Sequence, residues 1–397
     1  MANSPNPDPR PPEVVRRLSS RLRAFWQRVS DGLEISELWR QFQADARASY
    51  SLYARDVDWE SLPKESRVRR GVRIARLLFW ALLMKLSPPR RVLLVIALLL
   101  TLTAVSGLQP FGWPQAVHVL LAAGALLALL ALELADRVVM KRDLEIARDI
   151  QRWLVPTAPP EVPGFDIAFG TRPANTVSGD YYDAFLREVA GEASKRLHVV
   201  VADVAGKSVP AALLMATFQA SLRTLAEALP GLTGLVAGLN HYACAHSLDG
   251  RRFTTAFLAD IDPSTGALTY INAGHDVPIL RRASGAIERL EAGGLPLGIR
   301  AGANYDCGAV TLEPGDLLVV YTDGVVEAEN TQGEEYEESR LLALCQSSAT
   351  GSAADILAGL MSSVGAFVGA APQRDDLTCL IVRRSWTGMA DGGIERE

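Results

Sequence analysis

No two of the four cysteines stand close together in the chain. Cys244, Cys307, Cys345 and Cys379 form no CxxC pair, which speaks against zinc ligation and a disulfide framework and leaves reduced, buried thiols as the expectation. The opening stretch MANSPNPDPRPPEVV has no apolar run, so no secretory signal peptide is expected. GKS at Gly206–Ser208 lacks the earlier glycine that a phosphate loop needs, position 201 being Val, and that reading is rejected. Residues 1–91 hold 18 Lys and Arg against 10 Asp and Glu, which leaves 22 against 35 for the rest of the chain. The first part therefore carries +8 and the remainder −13. The acidic remainder argues against nucleic acid as a partner, while the basic part suits an anionic membrane face. No internal repeat is present.

Apolar residues make up 49% of the 397 and charged residues 21%, a balance that fits a membrane-attached globular protein of two or three domains. Residues 1–15, rich in Pro and Asn, read as a disordered tail. A basic helical cytoplasmic segment follows over 16–91, its Leu18, Leu22, Phe25, Trp26 and Val29 spaced at three and four residues. Val92–Leu108 contains no charge, and Ala116–Leu132 is a second apolar run separated from it by QPFGWP. Together, over 92–132, they predict a hairpin of two transmembrane helices. Arginines and lysines flank the hairpin on both sides and the loop has none, so both termini are expected in the cytoplasm, with the protein multi-pass in the cytoplasmic membrane.

A linker helix is expected over 133–156, continuing the second span until the four prolines of VPTAPPEVPG stop it. Val139, Ile146, Ile150 and Trp153 fall on one seam of that helix, interrupted by Asp143. The seam fits either a short parallel coiled coil, hence a homodimer through the linker helix, or packing onto the following domain. From Phe165 onward the sequence turns to β-rich runs. FDIAFGTRP, LHVVVADVAG, TTAFLADID, ALTYINAGH, PILRR, AIERLEA, DLLVVYTDG and LTCLIVRR are predicted strands, with helices at about Pro210–Leu229, Ser339–Leu344 and Ala353–Phe367. Strands in hairpin order with helices in separate blocks predict an α+β domain on antiparallel sheets over 157–386, followed by a flexible tail at 387–397.

Three of these strands carry aspartates at one end. VVVAD finishes on Asp203 and LLVVYTD on Asp323, whereas DDLTCLIV begins with Asp375 and Asp376. If the last lies antiparallel to the first two, all of these carboxylates reach one edge, and Asp180 and Asp183 of VSGDYYDAF are placed to close the cluster. Unpaired carboxylates gathered in this way repel one another unless a cation compensates them. Oxygen ligands without His or Cys favour Mg²⁺ or Mn²⁺ over zinc. A pair of such ions, activating water and neutralising phosphate, describes a phosphate-ester hydrolase.

DIQRWLVP, RPANTVSGDYYDAF, VVVADVAGKSVPAALLMA, FTTAFLADIDPSTGALTYINAGHDVPIL, GLPLGI, LEPGDLLVVYTDGVVEAEN and RDDLTCLIV occur in this order. Over about Asp149–Arg384 the chain thereby resembles the metal-dependent, PPM-type serine/threonine phosphatases of the bacterial SpoIIE/RsbU-like branch. The resemblance implies two antiparallel sheets packed as a sandwich flanked by helices, and a site of two Mn²⁺ or Mg²⁺ ions. It implies that Asp203 bridges the ions, with the Val204 carbonyl beside it. Asp323 and Asp375 would be further ligands, Asp180 would face the metals directly or through water, and Asp376 would support from behind. Ser178 and Ser208 replace glycines of the family pattern. Asn272, Gly274 and His275 match its NAGH, as a hydrogen-bonded turn or, for His275, as a general acid. Arg172 would approach the phosphate or pair with an acid.

The expectation is a membrane-anchored phosphatase that removes phosphate from serine or threonine of a regulatory partner, which the resemblance suggests is an anti-sigma-factor antagonist or similar partner-switching protein. No Cys or Ser stands next to a base, so direct attack by water without a phosphoenzyme is expected. The alternative is an inactive membrane adaptor that keeps the fold. The linker helix is expected to carry an input from the membrane hairpin or N-terminal segment to the helix after GKS.

Overall fold

The apolar runs of the sequence become two different kinds of element, helices with most of their large apolar side chains exposed and strands covered on both faces. The computed structural model describes residues 83–107, 112–188, 195–206, 209–229, 231–246, 252–347 and 351–385, together with residues 73, 76, 77, 79 and 80. The expectations for the 1–15 tail, most of the 16–91 segment, Ser208 and the 387–397 tail lie outside the described residues. The chain divides into two units, at Asp136 and Arg137.

In the first unit, helix α1 (Pro88–Ser106) starts with prolines in its first turn and ends at Gly107, whose positive φ of 71° closes the helix in the left-handed conformation. Helix α2 runs without a break over Gln115–Leu154. Both are long and apolar enough to cross a membrane. Ala97, Ala104 and Ala122 are buried, whereas Leu99, Leu102, Leu120 and Leu127 are exposed. Small residues inside and leucines outside is the distribution expected where lipid, not water, meets the outer surface. At the base of the hairpin Arg90 donates to Asp136 Oδ2 at 2.6 Å and to the Leu132 carbonyl at 3.2 Å.

In the second unit, eleven strands among the described residues form two sheets. One has the order β1 (Phe165–Arg172), β11 (Leu377–Arg384), β10 (Leu317–Tyr321), β6 (Ile279–Arg281), β7 (Ile287–Arg289). The other has the order β2 (Tyr181–Arg187), β3 (Arg196–Val204), β4 (Thr254–Ile261), β5 (Ala267–Ala273), β8 (Gly293–Gly294), with β9 (Gly308–Thr311) also paired to β5. Every pairing is antiparallel except that of β5 with β8.

Alternation along the strands decides how the sheets stack. On β3, Val199 and Val201 enter the core between the sheets, beside Leu318 and Val320 of β10 and Leu380 and Val382 of β11. The intervening Val200 and Ala202 face outward, onto Met215 and Leu222 of α3 (Val209–Ala228) and Leu235 and Leu239 of α4 (Leu232–Ala245). Val319 and Ile381 likewise face Leu341 of α6 (Glu337–Ser347) and Ile356 and Leu360 of α7 (Ala353–Val368). The result is the predicted α+β sandwich with helices on both outer faces. Its strands are continuous apolar runs because both faces are covered, and each fully buried aliphatic side chain contributes roughly 1.5–3 kcal/mol.

Some expectations are corrected. VSGDYYDAF is absent from the predicted strands, yet Tyr181–Arg187 form β2 at the edge of a sheet. The helix α4 and strands β8 and β9 were not anticipated. LTGLVAGLNHYACA carries two weak helix formers, Gly234 and Gly238, yet it is helical because its apolar face packs on β5 and α3. All four cysteines are free, but only Cys345 and Cys379 are buried; Cys244 is half-buried and Cys307 is exposed. Cys307 immediately precedes β9, a strand whose burial alternates with solvent.

Candidate metal centre

Register brings the aspartates to one end of both sheets. In the β2–β3 pair Tyr181 stands opposite Ala202, so the next residues outward, Asp180 and Asp203, face each other. In the β10–β11 pair Tyr321 stands opposite Cys379, and the ladder extends one step through the Thr322 N–H donating to the Thr378 carbonyl at 3.1 Å. Asp323 follows directly and opens the short helix α5 (Asp323–Val326), while Asp375 and Asp376 precede β11. The antiparallel relation of β10 and β11 is the one on which the convergence of Asp323 with Asp375 depended.

Gly324 shows how tightly these segments meet. A Cβ on it would stand 2.1 Å from the Asp376 carbonyl oxygen and 3.3 Å from Asp375 Cβ, so only glycine lets the Asp323 turn lie against the Asp375–Asp376 backbone. At Gly179, on the other sheet, the fit is close but less strict. A Cβ there would lie 3.2 Å from the Val204 carbonyl oxygen and 3.6 Å from Asp203 Oδ1.

The electrostatics report the crowding directly. Burial, then repulsion from Asp323 and Asp375, pushes the Asp203 carboxyl up to about 7, with Asp376 adding to the rise and a hydrogen bond with Asp180 opposing it. Burial and the neighbouring Asp203 hold Asp180 well above the usual carboxylate range, against hydrogen bonds from Thr378 and Thr322. Asp276, a further acid that the sequence reading passed over, is pushed up to about 6 by burial and by Asp323, Glu327 and Glu338. Among the described residues, no three His, Cys, Asp or Glu side chains stand arranged to hold a metal ion as they are. The donor set fits a hard divalent ion: oxygen atoms only, with Asp180 and Asp203 held back from ionising by burial and by neighbouring acids. Asp180, Asp203, Asp323 and Asp375 with the Val204 carbonyl are the groups that would hold it.

Asp376 has a different role from Asp375. It is buried, and its Oδ1 accepts the Ala174 N–H at 2.7 Å while its Oδ2 accepts the Ser178 hydroxyl at 2.7 Å and the Gly179 N–H at 2.8 Å. It thereby ties the segment before Asp180 to the start of β11. Thr322, fully buried, donates its hydroxyl to Asp180 Oδ2 at 2.9 Å and accepts the Thr378 N–H at 3.1 Å. Sequence reasoning missed Thr322, although its place one residue before Asp323 was a usable signal.

Asp183 does not join the cluster. It is fully buried on β2, where Arg223 of α3 donates to both of its oxygens at 2.8 and 2.9 Å and the Tyr181 hydroxyl donates at 2.5 Å. Alternation explains this. Asp183 lies three residues beyond Asp180, on the helix-covered face of a strand rather than at its end. Tyr181 and Tyr182 pack in the two cores on either side of that strand.

Among the described residues, Arg172 pairs with no acid. Its Nε donates to Gln373 Oε1 at 3.0 Å, and Gln373 Nε2 returns a bond to the Arg172 carbonyl at 2.6 Å. Asn272 builds the turn expected of NAGH, its Oδ1 accepting the His275 N–H at 2.7 Å and its Nδ2 donating to the His275 carbonyl at 3.0 Å. His275 is buried with its Nδ1 3.2 Å from Thr255 Oγ1. Burial pulls the imidazole down to about 4, a backbone hydrogen bond at Tyr321 opposing it. The ring is thus neutral at neutral pH and holds no proton to give as an imidazolium acid. Two cavities reach the acids. One of about 380 Å³ includes Asp180, Ser178, Asn175, Gln151 and Arg148 in its walls, and one of about 200 Å³ includes Asp375, Gly324, Glu327 and Arg374.

Comparison with known proteins agrees with this fold. Residues 193–385 match the family described as Stage II sporulation protein E (SpoIIE). Protein IcfG of Synechocystis sp. is 29% identical over 284 residues, 65% of this chain and 44% of IcfG. The chain thus aligns with less than half the length of that relative. Phosphoserine phosphatase RsbU of Bacillus subtilis is 29% identical over 246 residues, 62% of this chain and 71% of RsbU. Among solved structures, the SiaA-PP2C domain of Pseudomonas aeruginosa shares the fold with a TM-score of 0.54 at 21% identity, covering 63% of this chain and 98% of that domain. With the sandwich, the ordered motifs and the convergent aspartates together, residues 193–385 match the SpoIIE family and the chain is similar to the PPM-type serine/threonine phosphatases of that branch.

Proposed function

We propose that the protein is a membrane-anchored, divalent-metal-dependent phosphatase acting on phosphoserine or phosphothreonine of a regulatory partner protein. The observation that carries this reading is the meeting of Asp180, Asp203, Asp323 and Asp375 at one end of two sheets, where burial and the neighbouring carboxylates oppose the ionisation of Asp180 and Asp203. Mn²⁺ or Mg²⁺, two ions by analogy with the family, would be held by these carboxylates and the Val204 carbonyl, and would supply Lewis acidity toward phosphate and water. Asp203 and Asp180 present oxygens from one sheet, and Asp323 and Asp375 from the other. Thr322 holds Asp180, and Asp376 holds the loop before it. Ser178 is the cavity-wall hydroxyl that meets a carboxylate, but it is buried, donating to Asp376 and accepting the Asp180 N–H, so it serves the loop and the reading is direct transfer of phosphate to water. RsbU, a phosphoserine phosphatase by name, supports the substrate class, and a partner-switching protein is the partner we infer.

Membrane attachment rests on α1 and α2, whose apolar side chains are exposed on their outer surfaces. With basic flanks on both sides of the hairpin, both termini lie in the cytoplasm. The linker seam supports a homodimer. Val139, Ile146 and Ile150 are exposed and Trp153 is 83% exposed, so the seam is not spent on the domain of its own chain. Trp153→Asp should yield monomers in detergent by light scattering; a dimer of unchanged mass would refute the coiled coil.

The central test is a manganese titration of hydrolysis of a simple aryl phosphate by the full chain and by Asp203→Asn. Metal-dependent turnover lost in the variant is the expected result. No turnover by the wild type at any metal concentration would favour an adaptor that keeps the fold without catalysis.

A further inference from the structure

The last turn of α2 reaches the candidate site through one side chain. Gln151 Nε2 donates to the Ser178 carbonyl at 2.7 Å, and Gln151 Oε1 accepts the Ser178 N–H at 3.0 Å. A single amide thus satisfies both backbone groups of one residue, as a neighbouring strand would. Ser178 lies two residues before Asp180, just short of the start of β2, where among the described residues it has no strand partner. From Arg137 to Leu154, among the described residues, no other side chain is hydrogen bonded to the sandwich.

What Gln151 fixes is passed on by Ser178. The Ser178 hydroxyl donates to Asp376 Oδ2 at 2.7 Å and accepts the Asp180 N–H at 3.0 Å. Asp376 Oδ2 also accepts the Gly179 N–H at 2.8 Å. Ser178 and Asp180 are both buried. The position of the Asp180 backbone is therefore set from one direction by Asp376 and from the other by Gln151. A glycine at 178, as in the family pattern, would keep the clamp on the backbone but lose the hydroxyl that joins Asp376 to the Asp180 N–H.

We propose that Gln151 is a positioning residue for the metal centre. Its amide holds Ser178, and through Ser178 it sets where the Asp180 carboxylate stands opposite Asp203, so that the end of α2 controls the affinity of the site for divalent ions. This rests on the reading of Asp180 and Asp203 as metal ligands. A rotation or lift of the last turn of α2 breaks both bonds at once, because they come from one planar group. A residue that acts behind a ligand changes metal affinity by about tenfold or more, and does so without touching substrate.

The test uses the full-length protein in detergent, with Mn²⁺ binding by calorimetry, hydrolysis of an aryl phosphate over a manganese series, and amide exchange of Ser178 in chelator. Gln151→Ala should weaken Mn²⁺ binding by about tenfold. Its turnover at saturating Mn²⁺ should stay within about twofold of the wild type, and the Ser178 amide should exchange faster. Gln151→Glu keeps the acceptor for the Ser178 N–H and loses the donor to its carbonyl, so it should fall between the two, and it carries the test if the alanine variant does not fold. Asp180→Asn separates the two levels of the claim. If that variant loses Mn²⁺ affinity while both Gln151 variants bind like the wild type, even with a lowered melting temperature, Gln151 merely seats the helix and the proposal is overturned. If Asp180→Asn also binds like the wild type, the metal reading itself falls and takes this proposal with it.

Discussion

Gly324→Ala puts the packing of the site under a measurable load. The added methyl would sit 2.1 Å from the Asp376 carbonyl oxygen, 2.9 Å from its carbon and 3.3 Å from Asp375 Cβ. Ordinary contact for such a pair is about 3.2 Å or more, so the Asp375–Asp376 backbone has to retreat by roughly 1 Å. It is poorly free to do so. The Asp376 side chain is held by Ala174, Ser178 and Gly179, and the strand just beyond it by Thr322 and Thr378. Overpacking costs about 1–3 kcal/mol, and strained bonds to a buried carboxylate add to it. A total near 3 kcal/mol would lower the melting temperature by roughly 5–12 °C for a domain of this size. Activity should suffer more than stability, because a displacement of about 1 Å among ligating groups costs on the order of a hundredfold in rate. Calorimetry in chelator gives the first quantity and an aryl phosphate assay at saturating Mn²⁺ the second. Gly359→Ala is the internal comparison. It lies exposed within α7 with nothing near its would-be Cβ, and should gain about 0.5–1 kcal/mol with full activity. If Gly324→Ala melted and turned over like the wild type, the close approach of the Asp323 turn to Asp375 and Asp376 would be refuted.

Asp203→Asn should raise the melting temperature in chelator at pH 8, since it removes one of several carboxylates that repel one another, while Mn²⁺ should no longer stabilise the variant; a destabilised apo variant would contradict the repulsion. Arg223→Met leaves Asp183 buried without its guanidinium partner and should cost about 2–3 kcal/mol, less than a fully buried pair because Arg223 is 41% exposed. Its Mn²⁺ affinity should be unchanged, and a loss of affinity would return Asp183 to the metal centre. Asp260 supplies the pH dependence. Burial alone would push its carboxyl up, but the His198 hydrogen bond and charge, with Arg187 and Arg196, outweigh it and leave it below the ordinary value. The folded state therefore binds this proton more weakly than the unfolded one, so the contribution to stability is complete above about pH 4 and is lost as pH falls through the folded value. Asp260→Asn should flatten the acid limb of a melting-temperature profile below about pH 4, and an unchanged limb would show that other acids set it.

Legibility in the sequence followed the length and covering of each element. β3, β10 and β11 are continuous apolar runs bounded by aspartates, and could be read because strands covered on both faces have no need of polar alternation. β2 escaped recognition as a strand because an acid within it, another just before it and two tyrosines hid it, although its tyrosines serve the cores on its two faces. β8 is two glycines, a strand made by its partner and not by propensity. α4 was hidden by Gly234 and Gly238, the second of which packs against Leu225 and Leu229 of the preceding helix and linker. In the site, the strand-end aspartates were legible from position alone. Asp183 was misjudged because its distance in sequence from Asp180 says nothing of the face it occupies. Thr322 and Gln151 were missed because a hydroxyl and an amide acquire their meaning only from what they touch.

By itself the sequence determined that two uncharged runs form long helices, that an antiparallel α+β domain follows, and that four aspartates stand at strand ends. These are local properties, written in hydrophobic period and in punctuation by Gly, Pro and Asp. Which aspartates meet, which one is diverted to an arginine, and which side chains brace the others were decided only by register and by the stacking of one sheet on the other. Those relations join residues as far apart as Asp180 and Asp376, and no local pattern encodes a distance that only the closed sandwich creates.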